Sequence, residues 1–142
     1  MLKRKVLFLC TGNSCRSQMS EGLLRYFAGN DFEVYSAGTE PAPQVNPLAL
    51  EVMKEIGIDI SKQSPKHVRE FLNQKIDFVI TTCNNARKAC PTFPGETTNI
   101  QWGLKDPADA KGTKEERLKV FRNTRDIIYN NIQDFLNEYG NS

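Results

Sequence analysis

Apolar and polar positions fall in blocks along this chain, and the period changes at short breaks carrying glycine or proline. Val6 to Leu9 is a continuous apolar run, the pattern of a strand buried on both faces, and it ends in a polar loop containing Gly12. From Arg16 the apolar positions become Met19, Leu23 and Tyr26/Phe27, a helical spacing that reaches about Ala28 and stops at Gly29-Asn30-Asp31. Phe32 to Ser36 reads as a second strand closed by Ala37-Gly38, and residues 39–47, with Pro41, Pro43 and Pro47, read as a surface loop. Asn46-Pro47 is a cap and first-turn pair for a helix over about 47–56, with Leu50, Met53 and Ile56 on one edge and Gly57 as its stop. Ser64-Pro65 predicts another helix start, with Val68, Phe71 and Leu72 on one side.

Ile76 to Thr82 is a third buried run and leads into Cys83, while the polar stretch 84–89 has a helical composition and is broken by Pro91, Pro94 and Gly95. A fourth strand is expected over Thr98–Trp102, then a loop over 103–109. Last comes a long helix over Thr113–Tyr139 with Leu118, Phe121, Ile128, Ile132, Phe135 and Tyr139 in one stripe. Strands separated by helices predict a single α/β domain over residues 1–142 with a parallel sheet, whose strand carboxyl ends share one edge.

Composition narrows this little further. The 142 residues are 39% hydrophobic, enough for an ordinary core, and 19 basic against 17 acidic residues leave a net charge of +2, which gives no reason to expect nucleic acid or a membrane surface as partner. Lys3-Arg4-Lys5 reads as a solvated approach to the first strand. No apolar stretch is long enough to span a bilayer and Met1 leads straight into the first strand, so a cytoplasmic protein without a leader is expected. The cysteines, at 10, 15, 83 and 90, are too widely spaced for a paired zinc knuckle, and His67 is the sole histidine, so no metal site is expected.

The chemistry concentrates in Cys10-Thr11-Gly12-Asn13-Ser14-Cys15-Arg16-Ser17. A loop from a buried strand into a helix amino end gathers backbone N–H groups and the positive end of the helix dipole, so it should cradle an oxyanion. The sequence G-x-x-x-x-G-K-[ST] is missing, which argues against a nucleoside triphosphate. The same amides and Arg16 would favour thiolate at Cys10, and Arg16 can fork onto two oxygens of a tetrahedral anion. Cys15 reads as a packing residue beneath the anion.

Two other regions converge on this rim. Cys83, at the end of a parallel strand, should lie near Cys10. It is seven residues from Cys90, two helical turns or roughly 10 Å of rise, beyond the ~7 Å Cα separation a disulfide tolerates. If the two pair, a local switch over residues 83–97 must unwind the intervening segment. Asp106, before Pro107, lies in a loop expected to return to the same rim, where a carboxylic acid could protonate a departing oxygen, although Asp-Pro is also common in plain turns; Asp109 should be solvated.

The C-x5-R-S pattern from Cys10 to Ser17 resembles the anion loop of the low-molecular-weight protein tyrosine phosphatases and of the arsenate reductases sharing their fold. Extended through Gln18-Met19-Ser20-Glu21-Gly22, it looks most like the thioredoxin-coupled reductase branch. The resemblance implies a three-layer α/β sandwich around a central four-stranded parallel sheet. It also implies Cys10 as nucleophile, Arg16 as clamp, Asn13 as brace of the loop, Ser17 as hydrogen-bond donor to the Cys10 sulfur and Asp106 as general acid. Cys83 and Cys90 would then complete a disulfide relay reduced by thioredoxin, in a monomeric detoxification enzyme without a metal or organic cofactor. Some members of that family hold potassium through an asparagine, a glutamate, a serine and an aspartate. Asn13, Glu21 and Ser36 match, but the fourth region reads Ser64-Pro65-Lys66, so the Lys66 ammonium is expected to replace the cation. Rival expectations are a phosphotyrosine phosphatase using Cys10, Arg16 and Asp106, for which Ala108-Asp109-Ala110 lacks the aromatic residues that would sandwich a phenyl ring, and a phosphocysteine carrier or thiol sensor on the same scaffold.

Overall fold

The structure is a computed structural model that describes residues 3–83 and 91–140, with the backbone alone described for Cys83. Four strands, β1 (Arg4–Cys10), β2 (Phe32–Gly38), β3 (Phe78–Cys83) and β4 (Thr98–Leu104), form one sheet in the order β2-β1-β3-β4. Every pairing is parallel. Three α-helices, α1 (Arg16–Ala28), α2 (Pro47–Glu55) and α3 (Lys114–Tyr139), pack with the inward side chains Val6, Phe8, Phe78 and Ile80 into the larger core on one face. The other face buries Leu7, Leu9, Ala37 and Val79 under Val68, Phe71, Ile76 and Phe93, a thinner outer layer. β1 and β3 are buried on both faces, which explains the continuous apolar runs Val6–Leu9 and Phe78–Ile80.

The long helix follows its stripe. Thr113 and Glu116 form a reciprocal capping box at its start, and Leu118, Phe121, Ile128, Ile132 and Phe135 are buried. Each such side chain contributes about 1.5–3 kcal/mol by leaving water. α2 starts at Pro47, with the Asn46 side chain accepting from the Leu48 amide at 2.8 Å.

Two local expectations need correction. The helix predicted from Ser64-Pro65 is only a 3-10 turn over Val68–Phe71, capped by His67 rather than Ser64. The reason is tertiary: the Gly38 amide donates to the Lys66 carbonyl at 2.8 Å, and Gly38 and His67 form a parallel bridge. That pairing keeps residues 66–67 extended. The basic run before β1 is not simply solvated either, because the Arg4 guanidinium lies 4.8 Å over the Phe32 ring and 5.6 Å from the Phe78 ring and donates to the Tyr139 carbonyl. β4 also runs two residues beyond Trp102, to Leu104. The helical stretch predicted over 84–89 lies outside the described residues.

The strand order has a consequence for function. Chain leaving β1 turns toward β2, and chain leaving β3 turns toward β4, so the sheet changes direction between β1 and β3. A crevice at the carboxyl ends of the strands opens at such a switch point. The loop after β1 therefore stands where this fold accommodates a ligand.

Gly38 is the tightest point beneath that loop, since a Cβ there would lie 2.4 Å from the Thr11 carbonyl oxygen, whereas one at Gly12 would meet nothing nearer than Ser14 Oγ at 3.7 Å. Gly38→Ala should accordingly destabilise the fold by about 1–3 kcal/mol, and Gly12→Ala by clearly less. Urea unfolding of the two variants checks the contrast.

Candidate active site

The loop between β1 and α1 is held from outside by its carbonyl groups. Cys10, Thr11, Gly12 and Ser14 carbonyls accept from the amides of Thr39, Glu40, Ala42 and Asn46 at 3.2, 2.9, 2.8 and 2.9 Å, and Gln18 Nε2 donates to the Asn13 carbonyl at 3.0 Å. In a trans peptide the N–H points opposite to the C=O. With five successive carbonyls drawn outward, the amides of Thr11 through Cys15 are turned toward the inside of the loop. The proline-bearing segment 39–46 thus acts as a jacket that fixes which way the loop polarity faces.

The helix that follows continues this polarity. The N-cap of α1 is Cys15, which makes no side-chain capping bond, and its first turn has no acidic residue. Its leading amides and positive dipole end are thus not neutralised by the chain's own carboxylates. At the apex, Asn13 adopts φ 52°, a left-handed conformation that asparagine tolerates better than other non-glycine residues because its side chain can hydrogen-bond nearby. Its amide donates to Ser17 Oγ at 2.7 Å and Ser36 Oγ at 2.9 Å, and its Oδ1 accepts from the Lys66 amide at 2.9 Å. Asn13 and Ser17 are wholly buried, so these bonds are shielded from competition by water.

Arg16 is also buried. One terminal nitrogen donates to the Leu104 carbonyl at 2.9 Å and the other lies 3.6 Å from Asp106 Oδ2. Its Nε–H is buried without an acceptor among the described residues, a donor left for a ligand on a side chain otherwise fixed by the rim of β4. Asp106 caps the 3-10 turn Pro107–Asp109 by accepting from the Ala108 amide at 2.9 Å. The turn reading and the rim reading of Asp106 therefore coexist: Oδ1 holds the turn and Oδ2 faces Arg16. Asp109 is exposed, as expected.

Cys10 is buried as the last residue of β1. Cys83 ends β3, in register with Leu104 of β4. Since Leu9 pairs with Thr81, Cys10 and Cys83 stand at the carboxyl ends of adjacent strands, one and two residues beyond that pair. Cys15 belongs to the larger core, and burial pushes its thiol pKa up to about 11, against a lowering bond from Ser14. It is thus a protonated packing group. Residues 84–90 of the expected switch segment, Cys90 included, lie outside the described residues.

The Lys66 ammonium does not stand beside Glu21, contrary to expectation. It donates to the Ser64 carbonyl at 2.9 Å, and the cation on Glu21 is Arg25, at 2.6 Å. An i,i+4 pair along α1 outcompetes a loop lysine whose backbone is already committed to Gly38 and Asn13. Sequence reading also missed Gly38, Leu104, Gln18 and Gln63. Among the described residues, no group of His, Cys, Asp and Glu is placed to hold a metal, and no helix is long and apolar enough to cross a membrane.

A cysteine at a strand end, an inward-facing amide loop, a buried arginine and a carboxylate on a neighbouring rim thus share one edge of the sheet, the arrangement an oxyanion site of the phosphatase type requires. The chain belongs to the low molecular weight phosphotyrosine protein phosphatase family, which it matches over residues 5–141. Within that family it is 50% identical over 135 residues to the arsenate reductase of Halalkalibacterium halodurans, covering 95% of this chain and 96% of that protein. Among solved structures it resembles an arsenate reductase in its phosphate-binding state, with TM-score 0.77 and 32% identity, over 95% of this chain and 98% of the other. It also resembles the thioredoxin-dependent arsenate reductase of Corynebacterium glutamicum, with TM-score 0.62 and 32% identity, over 94% of this chain and 63% of the other.

At pH 8 a thiol with a pKa of about 11 is only about a thousandth thiolate. Native Cys15 should stay unlabelled by iodoacetamide under conditions that label it fully in urea, as read by peptide mass mapping. Because its folded pKa is raised, its stabilising contribution is present below pH 9 and is lost as pH rises toward 11. Cys15→Ala should therefore flatten the loss of stability across that window.

Proposed function

We propose that this protein reduces arsenate to arsenite by a three-thiol relay regenerated by thioredoxin. Arsenate sits in the loop of residues 11–16, its oxygens taking the inward amides and the Arg16 guanidinium. The Cys10 thiolate, receiving a hydrogen bond from Ser17, attacks arsenic. Asp106 gives its proton to the departing oxygen, which leaves as water, and a Cys10–S–As bond remains. Cys83 thiolate then attacks the Cys10 sulfur. The S–As bonding pair passes to arsenic, which leaves as As(III), and a Cys10–Cys83 disulfide forms. Cys90 thiolate attacks Cys83 and releases Cys10 as thiolate, leaving a Cys83–Cys90 disulfide that an external dithiol reduces.

The observation that carries this reading is the register of β1 and β3. By that register Cys10 and Cys83 stand at the carboxyl ends of adjacent strands, one and two residues beyond the paired Leu9 and Thr81, which supports transfer between them. A phosphatase needs no second thiol there. The names of the relatives point the same way. For the last step, Phe93 is buried against Leu7, Leu9, Cys10 and Val79, which anchors the chain three residues beyond Cys90. Hydrolysis of phosphate monoesters is a second reading, favoured by the family match and by the loop itself. It would be a side reaction, since Ala108-Asp109-Ala110 beside the general acid offers no ring to grip an aryl group.

Steady-state assays with arsenate and thioredoxin separate the two. Cys10→Ser and Arg16→Ala should lose both arsenite release and aryl phosphate hydrolysis. Cys83→Ser and Cys90→Ser should lose arsenite release by at least about 100-fold, equivalent to ~2.7 kcal/mol, while keeping aryl phosphate hydrolysis within about twofold. Unchanged arsenite release in Cys83→Ser would contradict the relay.

A further inference from the structure

We propose that Arg25 and Gln63 are positioning residues of the anion loop, closing a ring of side chains that holds Asn13 in its left-handed conformation and carries its own fixed cation. The proposal rests on the anion-binding reading of the loop.

The ring begins and ends on Asn13. Asn13 Nδ2 donates to Ser36 Oγ at 2.9 Å, and the Ser36 hydroxyl donates to Glu21 Oε1. Glu21 Oε2 pairs with Arg25 at 2.6 Å, and Arg25 donates onward to Gln63 Oε1 at 3.2 Å. Gln63 Nε2 donates to Gln18 Oε1 at 2.8 Å, and Gln18 Nε2 returns to the Asn13 carbonyl at 3.0 Å. Donor and acceptor senses are consistent all the way round: Arg25 donates in both directions, and Glu21 accepts in both. Arg25 therefore sets the polarity of the arm that reaches the Asn13 carbonyl, and it holds in place the acceptor, Glu21, that sets the polarity of the arm reaching the Asn13 side chain.

An exposed i,i+4 ion pair would deserve no such weight, being worth at most about 1 kcal/mol. Here the carboxylate side is 4% exposed, and the same guanidinium nitrogen also donates to the Val34 carbonyl at 2.6 Å. Removing Arg25 leaves a buried carboxylate without its counter-charge, which is costly where an exposed pair is not. That charge would bear on Ser36, which bonds Glu21, and through it on Asn13 in the loop.

The same bonds decide against a metal ion here. Glu21 Oε1 accepts from Ser36, Glu21 Oε2 is paired with Arg25, and Asn13 Oδ1 accepts from the Lys66 amide. The side-chain oxygens that would ligate potassium are committed to proton donors of the chain, so the residues do not fit the ion. Arg25 supplies the positive charge instead.

Amide NMR titration with inorganic phosphate tests this without relying on arsenate reduction. Arg25→Ala should weaken phosphate binding about tenfold and shift the Asn13 and Ser17 amides, while Arg25→Lys should recover to within about threefold. Methylguanidinium at 10–20 mM should restore part of the Arg25→Ala loss. Gln63→Ala, which breaks only the carbonyl arm, should shift the Asn13 amide with less loss of affinity. Replacing sodium by potassium should leave wild-type affinity and melting temperature unchanged. Wild-type affinity in a folded Arg25→Ala, an unshifted Asn13 amide in both variants, or a potassium-specific stabilisation of the wild type would each overturn the proposal. Absence of phosphate binding by the wild type would instead remove the anion-site reading, and this one with it.

Discussion

The feature on which the rest depends is the outward pull on the carbonyls of residues 10–14. A six-residue loop has no intrinsic reason to present all its amides to one side. It does so here because the amides of Thr39, Glu40, Ala42 and Asn46, and the side chain of Gln18, take the opposing carbonyls. The resulting concentration of N–H dipoles, continued by an uncapped helix end and a buried arginine, is unfavourable without negative charge nearby. In the proposed reaction a tetrahedral oxyanion and a thiolate at Cys10 would relieve it.

Topology does the second part of the work. With the order β2-β1-β3-β4, the loop after β1 and the end of β3 face each other across the point where the connections diverge. The thiol that would attack an anion and the thiol that would resolve the resulting bond thus come from adjacent strand ends. β4 completes the rim by giving the Leu104 carbonyl to Arg16 and leading into Asp106. One sheet edge brings together groups nearly a hundred residues apart in sequence. In the proposed reaction that edge is both the anion site and the first half of the thiol relay.

How much of this was legible in the sequence follows from the range of the interactions. The buried strands, the capped helices and the Cys10–Ser17 motif are written in neighbouring residues, so the strand–helix alternation and the loop could be read directly. The position of Cys83 followed from one further step, that parallel strands share their carboxyl edge. What could not be read depends on partners far along the chain. The extended pairing of residues 66–67 with Gly38 suppressed a helix whose local cap was adequate, and Arg4 found aromatic faces where only a charge run was visible. The cation on Glu21 is Arg25, one turn away on the same helix, and not Lys66, because the reach of a side chain and not its place along the chain decides the pairing.

The most direct test of the central claim is a single turnover without thioredoxin. Fully reduced protein mixed with excess arsenate should release one equivalent of arsenite per chain and yield, on peptide mapping under acid quench, a Cys83–Cys90 disulfide with Cys10 and Cys15 still alkylatable after denaturation. No arsenite, or arsenite without oxidation of Cys83 and Cys90, would contradict it.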